Sequence, residues 1–165
     1  MKKIALFLFA LLISVSVFSQ QNVPRNEISL NLFNTAILQY PEISFERILN
    51  HDMSVGASIG AGGHGDYFQS FNLTPFARWF FGGNRGDADR LARGFFIEAN
   101  CSFFRYKNRW TYEDGHTSAF GIGLGIGWKY LTRGNWTGEV LFGGGRDMIN
   151  DGGYLRLGIS IGRRF

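Results

Sequence analysis

The stretch GYLRLGISIGRRF, Gly153 to Phe165, alternates between apolar residues and small or polar ones. Leucine and isoleucine hold the odd positions from Leu155 to Ile161, while tyrosine, arginine, glycine and serine hold the even positions. A period of two is typical of a β-strand with one apolar face. The stretch therefore predicts the closing strand of a small β-barrel, with the aromatic Phe165 at its end.

At the other end of the sequence, residues 1–19 predict a secretory signal peptide. Lys2 and Lys3 precede an uncharged apolar run, 4–18, and Val17 and Ser19 fit the −3 and −1 positions of a cleavage site. A membrane anchor needs about 20 apolar residues, which this run does not reach. We therefore divide the chain into a signal peptide, 1–19, and one β-barrel domain, 20–165.

Composition excludes several classes of protein. Removal of Lys2 and Lys3 lowers the formal net charge from +4 to +2, and the other basic residues are scattered, so no nucleic-acid partner is expected. Cys101 is the single cysteine, which excludes an internal disulfide, and we expect it to be a small residue on a strand face. With 23 glycines, 3 prolines and 16% aromatic residues, the chain favours an all-β fold.

Eight alternating runs predict an all-β, eight-stranded antiparallel up-and-down transmembrane β-barrel, because each is about as long as the 9–11 residues with which a tilted strand crosses a bilayer. The runs are 27–35, 40–48, 53–61, 71–81, 94–104, 118–130, 135–144 and the closing stretch. The predicted outward loops are 35–40, 62–70, 105–117 and 145–152, and the predicted periplasmic turns are 49–52, 82–93 and 131–134.

Charges in mid-strand indicate which face lies inside. An unpaired charge cannot lie against lipid, but charges can pair in a narrow interior where glycine and serine leave room for them. We predict a salt-bridge network in the lumen that makes the barrel a solid plug, the alternative being a gated polar path. Strand pairing predicts the contacts Arg78–Glu98 and Glu139–Arg156. The predicted network contains Glu42, Glu46, Arg78, Glu98, Glu139 and Arg156.

If the N-terminus lies in the periplasm and successive strands alternate in direction, the aromatic residues of the apolar face lie in two bands, one near each end of the barrel. Two such girdles are typical of outer-membrane barrels. Arg163 is the one residue of this face that does not fit. The predicted periplasmic girdle contains Trp79, Phe81, Phe95, Trp128, Tyr130, Trp136 and Phe165, and the outer girdle contains Phe71, Phe103, Phe120 and Phe142.

The order of several short motifs resembles the small outer-membrane β-barrel proteins of Bacteroidota, many of which are filed as a domain of unknown function. The motifs are PEISFE at 41–46, PFARWF at 75–80 with GFFI at 94–97, the glycine-rich run 121–128, and LGISIG at 157–162 ending in Phe165. The family usually has an aromatic residue where this chain has Arg163. The resemblance implies the fold and the outer membrane, with lipid, lipopolysaccharide and the insertion machinery as partners, and it implies no activity.

One motif suggests catalysis. His116-Thr117-Ser118 is similar to the His-x-Ser of outer-membrane lipid A deacylases, which also use a carboxylate. We expect Glu139 to lie opposite Ile126, about 26 Å from Ser118 at about 3.3 Å per residue. Glu113 or Asp114 would have to substitute for it, so an enzyme is the weaker interpretation.

Three other patterns are interpreted as chance matches. Gly60–Gly65 fits a dinucleotide fingerprint, but no helix or βαβ unit follows it. Arg85-Gly86-Asp87 fits an integrin-binding tripeptide, but it falls in a predicted periplasmic turn. The three histidines, His51, His64 and His116, lack the spacing of metal ligands. We therefore expect no metal and no cofactor.

The loop 105–117, RYKNRWTYEDGHT, is the strongest candidate for contact with an extracellular ligand, glycan or protein. The alternative is a solvated loop whose cations meet lipopolysaccharide phosphates. Eight strands leave no aqueous channel, so the sequence favours a structural or surface-interaction role. The alternatives are a lipid A-modifying enzyme and a soluble, lipocalin-like binder of a small apolar ligand, whose apolar face would point inward.

Overall fold

A computed structural model describes residues 24–62, 69–81, 91–107 and 116–165, and the predicted signal peptide lies outside them. Eight antiparallel strands follow one another in chain order and close into a barrel, since β1 pairs with both β2 and β8. This confirms the predicted fold. The strands are β1 Asn26–Asn31, β2 Glu42–Ile48, β3 Met53–Ala61, β4 Gln69–Phe81, β5 Gly94–Lys107, β6 His116–Leu131, β7 Trp136–Asp147 and β8 Gly153–Arg164.

The first strand is shorter than its predicted range, 27–35. It ends at Asn31, and Leu32–Ala36 forms a short helix, α1, instead. The Asn31 side chain accepts a hydrogen bond from the backbone N–H of Asn34 at 3.2 Å, which is the geometry of a favourable N-cap. The prediction of a strand over 32–35 is therefore wrong. The helix α1 lies against β8. In the described part of the chain, no helix is long and apolar enough to cross a bilayer.

The two faces of the strands differ in the direction that the alternation predicts. Leu155 and Leu124 point away from the barrel and are 74% and 66% exposed, whereas Glu98 and Lys129 are buried in its interior. A lipocalin-like barrel would place its apolar side chains inside. The exposed apolar face and the charged interior are the arrangement of an outer-membrane-type barrel.

The barrel has two distinct ends. The end that carries Asn26, Phe165 and the turns 49–52 and 132–135 is here called the terminus end, and the end that carries α1 and the turn 148–152 is called the loop end. At the terminus end, Leu91 and Ala92 fold inward from the predicted turn 82–93. They close the interior in an apolar cluster with Ile48, Phe80, Phe96 and Leu141.

The glycines of β6 face inward, as predicted, but most of their space is taken by aromatic rings. A Cβ atom on Gly127 would collide with the ring of Phe96 and the backbone oxygen of Val140. A Cβ atom on Gly121 or Gly123 would collide with Tyr154. The expectation that these glycines make room for charged side chains is therefore wrong for Gly121, Gly123 and Gly127, whereas Gly125 lies beside the side chains of Leu141 and Glu98.

Candidate functional site

Arg78 on β4 is the centre of the charged interior. Its guanidinium group donates to Glu98 at 2.9 Å, to Glu46 at 2.6 Å and to Glu139 at 2.8 Å, and its side chain is only 4% exposed. Glu98 lies directly opposite Arg78 on β5, as strand pairing predicts. The two other carboxylates belong to β2 and β7, which do not pair with β4. The guanidinium carbon also lies 4.3 Å from the centre of the Phe76 ring, a cation–π contact.

Lys129 is a second buried cation, and the predicted network omits it. Its Nζ lies 2.9 Å from Glu27, 2.6 Å from Glu46 and 3.1 Å from Glu139. The three carboxylates lie close enough together to hold a metal ion, but the ammonium group of Lys129 lies among them. The signal for Lys129 was its place among the inward glycines of β6, where an unpaired charge cannot remain.

Arg156 does not bind the carboxylate that strand pairing predicts. It donates to Glu98 at 2.7 Å and to Glu42 at 3.1 Å. The predicted Glu139–Arg156 contact is wrong because β7 continues to Asp147 and the hairpin register differs. Gly143 lies opposite Arg156, and Glu139 lies opposite Ser160.

Glu27 and Arg164 form the ion pair that joins the first and last strands, at 2.8 Å. They lie opposite each other at the terminus end, and Arg164 also donates to the backbone oxygens of Leu91 and Ala92. Sequence reasoning missed both residues as network members, although each occupies an inward position. The ion-pair network of the described interior thus joins five carboxylates, Glu27, Glu42, Glu46, Glu98 and Glu139, to four cations, Arg78, Lys129, Arg156 and Arg164. Asp147, a further buried carboxylate, lies outside this network and accepts a hydrogen bond from the Asn150 amide at 2.9 Å.

All seven residues of the predicted periplasmic girdle are exposed on the outer face of the barrel. Trp79 stacks on Phe81 with ring centres 5.7 Å apart, and Phe81 contacts Phe95. Arg163, the residue that did not fit, places its guanidinium carbon 5.7 Å from the centre of the Trp136 ring. The cation therefore continues the aromatic band instead of interrupting it.

The predicted outer girdle is less regular. Phe103 and Phe120 contact each other across β5 and β6 at 4.8 Å, and Phe71 is exposed near the start of β4. Phe142 lies in the middle of β7, opposite Ile126, because the strand is longer than its predicted range. Its assignment to a girdle is therefore wrong.

The histidine–serine motif is far from Glu139, the carboxylate considered for it, although the buried Asp147 lies opposite Gly121, three residues from Ser118. Ser118 is exposed near the start of β6, and Glu139 lies opposite Lys129, not opposite Ile126 as the sequence suggested. Eleven residues of strand separate Ser118 from Lys129, or about 36 Å at about 3.3 Å per residue. This separation is incompatible with a hydrogen-bonded catalytic group made from Ser118 and Glu139.

Several other candidates fall wholly or partly outside the described residues. They include 108–115 of the candidate binding loop, with Glu113 and Asp114, and the tripeptide Arg85-Gly86-Asp87. The end of the glycine motif, 63–65, with His64, is also outside them. Of the rest of the loop, 105–107 belong to β5 and 116–117 to β6.

A cavity of about 500 Å³ lies at the loop end, above the charged network. Glu42 and Arg156 belong both to its wall and to the network, and Asn72, Ser102 and Tyr154 also line it. Tyr40, in the connection between α1 and β2, is 5% exposed, and its hydroxyl has no hydrogen-bond partner among the described residues. Burial raises the pKa of the Tyr40 hydroxyl, so this group stays protonated at neutral pH.

Comparison with known proteins supports the fold. No protein-family model and no curated protein matches the sequence. Among solved structures, the chain is similar to the crystal structure of the N-terminal β-barrel domain of Pseudomonas aeruginosa OprF, with a TM-score of 0.65 and 17% sequence identity. The match covers 88% of this chain and 100% of that chain. At this identity the likeness concerns the fold alone.

Proposed function

We propose that this chain is a small outer-membrane β-barrel with a structural or surface-interaction role and no open channel. The observation that carries the proposal is the inverted polarity of the barrel, whose exposed face is apolar and whose interior is charged. Such an exterior has a stable place in lipid. Ion pairs and aromatic rings fill the described interior around Arg78 and Lys129, which favours a plug over a gated path.

The terminus end then faces the periplasm and the loop end faces the cell exterior. Membrane lipid and lipopolysaccharide surround the barrel in this proposal, and the insertion machinery assembles it. The motif order at 41–46, 75–80 and 157–162 supports assignment to the small Bacteroidota barrels of unknown function. We also propose that loop 105–117 contacts an extracellular ligand or partner.

Charge scanning of the exposed face tests the membrane location. We expect Leu124→Arg to destabilise the barrel by about 2–4 kcal/mol in phospholipid vesicles, because it places a cation near the bilayer midplane. Tyr130→Arg, on the same face of β6 but nearer the terminus end, is expected to cost about 0–1 kcal/mol. Urea titration in vesicles, followed by tryptophan fluorescence, measures both values.

A soluble barrel gives a different result in the same experiment. An exposed substitution on a water-facing surface changes stability by about 0.5 kcal/mol or less, so Leu124→Arg and Tyr130→Arg would then be alike. Recovery of the protein in the soluble periplasmic fraction without detergent would also refute the membrane location. Heat-modifiable migration on a gel is the expected result for the inserted barrel.

We further propose that the protein is not a lipid A deacylase. The expected result is that a His116→Ala, Ser118→Ala double variant leaves the lipid A mass spectrum of the cells identical to that of cells with the natural chain. The physical reason is the distance of about 36 Å between Ser118 and the level of Glu139. Deletion of the whole gene provides the control for any indirect effect on the envelope. A mass change that the deletion and the double variant share would establish the enzyme instead.

A further inference from the structure

We propose that the loop-end cavity binds the uncharged sugar head of an amphiphile that enters sideways from the outer leaflet, between α1 and β8. This inference rests on the proposed membrane location. It adds a ligand site and a ligand class to that location.

The barrel wall is incomplete beside this cavity. The pairing of β1 with β8 ends at Asn31 and Ser160, whereas β8 continues to Gly153. Along 153–159, β8 therefore has β7 on one side and α1, instead of a described strand, on the other. The Asn31 amide donates to the Leu157 carbonyl at 3.0 Å, so a side chain replaces part of the strand pairing. Among the described residues no backbone hydrogen bond joins α1 to β8, so a ligand can part them without breaking a β-ladder.

The outer part of the cavity is apolar. Its apolar lining consists of Phe33 and Leu38, from α1 and the connection after it, and of Leu155 and Leu157 of β8. Leu155 is also one of the most exposed apolar residues of the outer face. The apolar lining thus continues from the cavity onto the surface that meets lipid, and an alkyl chain could lie along it without leaving an apolar environment.

The rest of the lining is polar, and an unsatisfied group is buried beside it. The buried Tyr40 hydroxyl lacks a partner among the described residues, and such a group costs free energy unless a ligand or water bonds to it. Asn34, Asn72 and Ser102 offer amide and hydroxyl groups nearby. Neutral donors and acceptors beside the flat rings of Tyr40 and Tyr154 are suited to a sugar, which has hydroxyl groups on its edges and apolar C–H groups on its faces.

The charges favour an uncharged head over an anionic one. Arg156 is the cation of the cavity wall, and it already binds Glu42 and Glu98. Glu42 accepts hydrogen bonds from the Asn31 and Asn34 amides and presents a carboxylate to the cavity. A phosphate or sulfate group would meet this carboxylate without a spare cation, whereas a hydroxyl group can donate to it.

Photo-crosslinking of the full mature barrel tests the site. The probe is an alkyl glucoside with a diazirine in its chain, added to the barrel in phosphatidylcholine vesicles, and labelled peptides are mapped by mass spectrometry. We expect labelling to concentrate on 33–38 and 155–157. Excess unlabelled dodecyl maltoside should compete, whereas free maltose and dodecyl sulfate should not.

The variant Tyr40→Phe keeps the ring and removes the unpaired hydroxyl, so it should fold at least as well as the natural chain. We expect this variant to reduce labelling of the site by about three- to tenfold, which is the effect of losing one hydrogen bond to the ligand. Tyr130→Phe, on the exposed face at the other end, is the matched control and should leave labelling unchanged.

The outcomes separate the two proposals. Labelling spread evenly around the exposed face of an inserted, heat-modifiable barrel refutes the sugar site alone. If dodecyl sulfate competes as well as dodecyl maltoside, the preference for an uncharged head is refuted. If free maltose competes as well, the sideways path from the membrane is refuted. Failure of the natural chain to insert into vesicles refutes the membrane location on which the site depends.

Discussion

Replacement of Arg78 by methionine is expected to lower the free energy of unfolding by about 3–5 kcal/mol, because three buried carboxylates lose their shared cation. Glu46, Glu98 and Glu139 each lie within 2.9 Å of the Arg78 guanidinium nitrogens. Methionine fills most of the volume, so the effect measures the missing charge more than a cavity. Urea titration of the barrel in vesicles at neutral pH measures the change.

Arg146→Met is the matched control for this substitution. Arg146 pairs with Asp151 at 3.1 Å, but the two side chains are 73% and 93% exposed. An exposed ion pair contributes about 0–1 kcal/mol, and the control should fall in that range. If Arg78→Met were as mild as Arg146→Met, the interior would be hydrated and the proposed plug would be wrong.

The second large effect is expected at Gly127, which the Phe96 ring covers. Gly127→Val should destabilise the barrel by about 3 kcal/mol, the upper part of the range for overpacking. The added carbon meets both the Phe96 ring and the backbone oxygen of Val140, and only the ring can move aside. Folding yield on a heat-modifiability gel and urea titration in vesicles measure the loss.

Gly138→Val provides the same chemical change without the collision. A Cβ atom at Gly138 meets no other atom within 4 Å, and valine is favourable in strands, so we expect no loss of stability there. In a Phe96→Ala background, Gly127→Val should cost less than in the natural chain, since the two sites share one space. Equal costs at Gly127 and Gly138 would show that the ring does not occupy the place described.

Local alternation predicted the strands and their faces because inward and outward positions follow from the period of two alone. Residue by residue, Ile122, Leu124 and Ile126 are exposed, and Gly123 and Gly125 are buried. Hairpin register was harder to predict, because it depends on where each turn begins. Because β7 is longer than predicted, its pairing with β8 has a different register, and Arg156 does not lie beside Glu139.

Contacts across the lumen were beyond the reach of strand pairing. Arg78 meets Glu139 although their strands are not neighbours, and Lys129 meets Glu27 for the same reason. Such contacts depend on the tilt and stagger of the closed barrel, which alternation does not specify. The loop-end cavity was missed because α1 replaces the end of the first predicted strand, and the Asn31 cap was a local signal for that helix.

The ion pairs of the interior also constrain how the proposed membrane barrel can assemble. Glu27 and Arg164 are 137 residues apart, and Lys129 and Glu27 are 102 residues apart, so no single hairpin can form either pair. An open sheet that begins to enter lipid holds these charges without their partners, at a cost of several kcal/mol for each ion. Partly assembled sheets are therefore disfavoured, and the seam between β1 and β8 must close nearly in step with insertion. For the proposed membrane barrel we therefore expect nearly all-or-none assembly, with the slow kinetics expected for contacts between distant parts of a chain.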